Sequence, residues 1–229
     1  MKLLKLLMVG ASLFYAAAGI AADAKIKTYV LAEKTKGDVA TVAEATKAKL
    51  TKAGFEVVGT YSPYSTATIL IVTNAELKAN AKNSETGAYG AAQRVTITKA
   101  EGEIQVAFTN PTYMAHIYRM KGDLKSVTAK LKSVLGDKGE YGPEEGLTPE
   151  ELRDYHYKWL MPYFTDPLEL ADHGNQQVAL TKVEAALANN KTGVKKIYRI
   201  DMDGKEETVI GVSMSGPDEL DCSGDKYIE

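Results

Sequence analysis

The sequence predicts an α+β protein, and three observations carry that expectation. First, Glu103 to Arg119 reads E-I-Q-V-A-F-T-N-P-T-Y-M-A-H-I-Y-R. Ile104, Val106 and Phe108 alternate with Gln105, Ala107 and Thr109, as in a strand, before Asn110-Pro111 turns the chain into a helix. Second, short turns join neighbouring strand-like runs. Ala100-Glu101-Gly102 links Arg94–Lys99 to Glu103–Thr109, and Asp203-Gly204 links Lys195–Met202 to Thr208–Met214. Third, apolar residues recur at helical spacing through Val39, Val42, Ala43, Thr46 and Leu50, and again through Leu124, Val127, Leu131, Val134 and Leu135.

In chain order, Lys2 and Lys5 precede an apolar run from Leu6 to Ala18, and small residues follow up to Ala22. A run this short with small residues at its end is the pattern of an export signal. Residues 1–22 are therefore expected to be a signal peptide, and the mature protein periplasmic or secreted. Loss of Lys2 and Lys5 takes 28 basic residues to 26 against 30 acidic ones, a net charge of −4. Without a basic stripe, no nucleic acid is expected as partner. No later apolar run has the length of a membrane span, so none is expected after signal cleavage. Cys222 is the single cysteine, so no internal disulfide forms, and its D-C-S-G-D setting predicts an exposed, inert thiol.

The first strand is expected within Lys25–Ala32. Asp38 then caps a helix that Gly54 stops. Phe55–Tyr61 and Thr68–Thr73 read as strands, the second so apolar that both faces should be covered. Ala75–Ala81 reads as a short helix capped by Asn74, and Asn83–Gly90 as loop. Gly122-Asp123 should cap the helix that begins at Leu124.

A strand, a helix, several strands and then strand–Asn-Pro–Tyr–helix together resemble domain-of-unknown-function family 302. K-A-G-F-E-V-V resembles that family's first helix and second strand, and F-T-N-P-T-Y-M-A its closing motif. The likeness covers about residues 25–135, with Ala75–Ala92 departing from it. It implies a curved antiparallel sheet with helices on one face, similar to the TATA-binding-protein arrangement β-α-β4-α. It implies no activity, because that family has none established.

Composition places the domain at residues 23–136, a glycine-rich linker at 137–147 and a smaller α+β half at 148–229. Thr148-Pro149-Glu150-Glu151 is a capping box, and the aromatic helix it opens is expected to run to Pro162. Asn175 should cap a helix through Asn189 with Leu180, Val183 and Leu187 inward. This half either stands alone or completes the first sheet.

The expected ligand-binding residues are Asn110, Tyr113 and His116 at the strand–helix corner, facing Tyr155 and Trp159 of the aromatic run. His156, His173 and Asp172 offer two imidazoles and a carboxylate, the donor set of a transition-metal site, although paired spacing such as H-x-x-x-H is absent. Haem held by His116 with Met114 or Met120 is the other cofactor alternative; no C-x-x-C-H is present for covalent attachment. No G-x-S-x-G occurs. Three functions follow: a soluble exported binding or accessory protein for a small molecule or another exported protein, with a pocket between the halves; a structural or interaction module; or an enzyme pairing histidine with aspartate.

Overall fold

The computed structural model describes residues 24–189 and 193–214. The expected signal peptide and Cys222 lie outside the described residues. The chain runs β1 (Tyr29–Thr35), α1 (Val39–Lys52), β2 (Glu56–Tyr61), β3 (Ala67–Thr73) and α2 (Ala75–Lys82). A 3-10 turn (Gly87–Gly90) leads to β4 (Gln93–Ala100), β5 (Glu103–Thr109), α3 (Pro111–Ile117), α4 (Lys125–Leu135) and β6 (Glu140–Tyr141). The later part holds α5 (Pro149–Arg153), α6 (Gln176–Ala188), β7 (Val194–Asp201) and β8 (Thr208–Met214).

The fold is α+β. Six strands form one antiparallel sheet in the order β2-β3-β4-β5-β1-β6, and β7-β8 form a small sheet of their own. The later half therefore does not extend the first sheet. Among the described residues no helix is long and apolar enough to cross a membrane.

Alternation decides what each sheet face carries. Val30, Leu70, Val72, Val95, Ile97, Ile104, Val106 and Phe108 turn to the face covered by α1 and α4, where Leu50, Val127 and Leu131 meet them in the core. Each fully buried side chain of this size contributes about 1.5–3 kcal/mol of hydrophobic free energy. The opposite face carries Tyr29, Tyr61, Ile69, Ile71, Arg94, Thr96 and Thr109, by register. Ile69 and Ile71 are also buried, as expected of a strand covered on both sides.

Local chemistry sets most boundaries. Asp38 caps α1 by accepting from the Thr41 backbone N–H at 2.8 Å, and Gly54 follows the helix at φ +82°. Asn74 caps α2, and Asn175 caps α6, in the same way. Glu101 and Gly102, both at positive φ, make the β4–β5 turn. Four expectations shift. β1 begins at Tyr29 and runs to Thr35. Leu124, at φ +52°, is the N-cap of α4, and Asp123 helps by accepting from the Lys125 N–H at 3.1 Å. The stretch read as a linker supplies β6, which pairs with β1, and Leu147, which pairs with Ile26.

The fourth shift is the largest. The capping box at Thr148 is present with both of its hydrogen bonds, but α5 stops at Arg153 instead of reaching Pro162. Tyr157, Trp159, Leu160 and Met161 beyond it are exposed. With no apolar stripe to bury, nothing stabilises further turns of a helix whose nucleation is costly. Helix α6 also buries none of its residues, although Leu180, Val183 and Leu187 sit at inward-facing spacing.

Candidate functional site

The open face of the sheet and the β7–β8 hairpin enclose a cleft of about 240 Å³. Its floor is Ile71 of β3, Arg94 of β4 and Thr109 of β5; Tyr61 of β2 stands at one side. Tyr89 and Tyr118 close one end, their ring centroids 5.4 Å apart at 32°. Ile197, Tyr198, Gly211 and Val212 of the hairpin form the roof.

One glycine lets the hairpin come this close, and a second makes room for a ring of the roof. A Cβ at Gly59 in β2 would lie 2.6 Å from the Ile197 carbonyl oxygen. A Cβ at Gly211 would lie 1.8 Å from Cε1 of Tyr198, its register partner across the hairpin. The register slips at Val57/Gly59 and at Lys196/Tyr198, so both strands are bulged where they meet, and bulges bend strands. The far end of the hairpin is held by Ile200 and Met202, which are buried in the core, and by Lys205 donating to the Ser84 carbonyl at 3.0 Å.

Thr109 and the Arg94 backbone are fixed from below. Thr109 Oγ1 accepts from the Arg94 backbone N–H at 3.1 Å and donates to Gln93 Oε1 at 3.0 Å; Gln93 Nε2 donates to the Gly90 carbonyl at 3.1 Å. Burial raises the Tyr118 and Tyr198 phenols above their usual value of 10, while the Arg94 guanidinium pulls both the other way. Both phenols are thus neutral O–H groups at physiological pH. Among the described residues, no histidine or carboxylate lines the cleft.

The residues expected from the sequence stand elsewhere. Asn110 is buried as the cap of α3. Its side chain accepts from Thr112 N–H at 3.1 Å and from Thr128 Oγ1 at 3.3 Å, and donates to the Lys27 carbonyl at 3.2 Å. Tyr113 lies near Tyr155 and Tyr29, with its phenol raised chiefly by burial. His116 is buried on the same helix and helps Lys125 lower the Asp123 carboxyl. Tyr155 packs on Phe164, centroids 6.1 Å apart, whereas Trp159 is 83 % exposed. The corner thus brings Tyr113 and Tyr155 together and leaves Trp159 outside.

His156 meets the Tyr163 ring edge-on at 5.2 Å, and His173 Nδ1 lies 3.4 Å from the Lys182 ammonium. Among the described residues no three His, Cys, Asp or Glu side chains converge to hold an ion, so His156, His173 and Asp172 are not gathered into one centre. Of the haem candidates, Met120 is fully buried in the core and Met114 lines the cleft.

Sequence reasoning missed Arg94, Tyr118 and Tyr198. A signal for them was present: Arg94-Val95-Thr96-Ile97-Thr98 alternates, which puts an arginine on the second face of a central strand. Mid-strand Gly59 and Gly211 were a second signal, since such glycines mark close backbone approach. Comparison with family models, with curated proteins and with solved structures gives no match.

Proposed function

We propose that this is an exported binding protein whose small ligand sits in the cleft between the sheet and the β7–β8 hairpin. The observation that carries this is the cleft itself, built from both halves of the chain and walled by tyrosines around a polar floor. Aromatic walls supply contact area, and a few placed polar groups supply orientation. Among the described residues the lining holds no histidine or carboxylate, which favours binding over acid–base catalysis. Export rests on the basic, apolar and small-residue pattern of the first 22 residues. The proposed kinship with domain-of-unknown-function family 302 is supported by the strand and helix order and by the Asn110-Pro111 corner, and it adds no activity.

The test is a thermal-shift screen of small metabolites on the mature protein and on Val212→Trp, which fills the cleft from its exposed rim. Compounds that raise the melting temperature of the wild type should leave the variant unmoved. Equal shifts in both proteins would place the ligand elsewhere.

One observation favours a second reading, an interaction module for another exported protein. Tyr157, Trp159, Leu160, Leu168 and Leu170 are each at least 69 % exposed in one short stretch. Clustered exposed apolar groups of this kind mark contact surfaces. A photo-crosslinking residue at Leu160 should give one discrete adduct in cells; a smear or no adduct would retire this reading.

A further inference from the structure

The chemistry of the cleft points to the charge of its ligand, and this step rests on the cleft reading above. Among the described residues, Arg94 is the one charged residue lining it. The other arginines are committed. Arg199 pairs with Glu184 and Asp201, Arg153 donates to the Met120 carbonyl at 2.7 Å, and Arg119 donates to the Arg153 carbonyl at 2.6 Å while lying over the Tyr163 ring. Among the described residues the Arg94 guanidinium enters no ion pair. Its backbone, by contrast, is anchored through Thr109 and Gln93. A part-buried cation on an anchored backbone, with no counter-ion among the described residues, costs free energy that an incoming anion would recover.

We infer that the cleft takes a small organic monoanion, its carboxylate on the Arg94 guanidinium and its apolar body against Ile71, Met114 and the tyrosines. The guanidinium fork matches a carboxylate with two parallel hydrogen bonds. A phosphate monoester carries nearly two charges at neutral pH, and the second would meet no cation among the described residues of the lining. The volume of about 240 Å³ lies below that of pockets for drug-sized molecules, so the ligand is small. Tyr118 and Tyr198, whose phenols are protonated at neutral pH, add no opposing charge.

The experiment is calorimetric titration of the mature protein with benzoate, hexanoate, their two neutral amides and phenyl phosphate. Each carboxylate should bind at least about tenfold more tightly than its amide, and benzoate more tightly than phenyl phosphate. Arg94→Gln should erase the preference for carboxylate over amide. Should that variant not fold, the wild type still decides: salt should weaken the carboxylates several-fold and leave the amides unchanged. Amides that match their acids, a preference that survives Arg94→Gln, or salt-insensitive binding would each overturn the assignment while the cleft stands. Absence of heat from both carboxylates would overturn it too, and the Val212→Trp screen would then judge the cleft separately.

Discussion

Asn110 shows how a residue chosen for one reason matters for another. Asparagine before proline pointed to a corner, and a corner beside histidine and tyrosine pointed to a site. The corner is real, but Asn110 uses both ends of its amide internally, on Thr112, Thr128 and Lys27. Asn110→Ala should therefore cost about 1–3 kcal/mol, because it leaves buried donors and acceptors unmatched. Denaturant melts followed by far-ultraviolet circular dichroism check this, and an unchanged midpoint would contradict it. Arg94 is the opposite case. Its strand was legible, yet nothing in R-V-T-I-T says that the second face would receive a hairpin from residues a hundred positions later. Charge on a sheet face ordinarily reads as solvent exposure, and only the tertiary partner makes it a floor.

At the scale of elements, helix α6 was legible from its Asn175 cap although it buries none of its residues, and helix α4 from a stripe that is buried. Helix α4 follows its spacing closely, with Val127, Leu131 and Leu135 buried. Helix α5 had the better start signal and still ended after one turn, since a cap fixes where a helix begins and not how far it runs. The β7–β8 hairpin was legible from Asp203-Gly204, but its docking depends on Gly59, and the seat of the Tyr198 ring on Gly211, roles that show only when two strands approach each other. Gly211→Ala should push the Tyr198 ring off the glycine and out of the cleft wall. Ligand affinity should fall at least about tenfold if that wall is used, with a stability loss of about 1–3 kcal/mol for the overpacked pair. Titration of the variant with benzoate reads the first effect and a melt reads the second; wild-type affinity would show that Tyr198 is not part of the wall.

For the whole molecule, the coupling of the two halves matters most. Ile200 and Met202 belong to the same buried cluster as Val72 and Phe108, although composition suggested a break near residues 137–147. That stretch is polar and rich in glycine because it runs over the surface, and it still contributes β6 to the sheet edge. Composition reports exposure of a segment; it does not report whether the segments on either side share a core. Met202→Ala should lower global stability by about 2–5 kcal/mol and keep a single unfolding transition. Two separated transitions in calorimetry would instead show halves that melt independently.

The lone tryptophan of the chain, Trp159, projects into water from the irregular stretch after α5. Its indole emission is consequently already that of a solvated ring. Unfolding will scarcely shift its colour, and filling a cleft that it does not line will not dim it. Fluorescence from this residue is a poor gauge of folding here, but it makes a sensitive lamp for anything that settles on the apolar stretch around it.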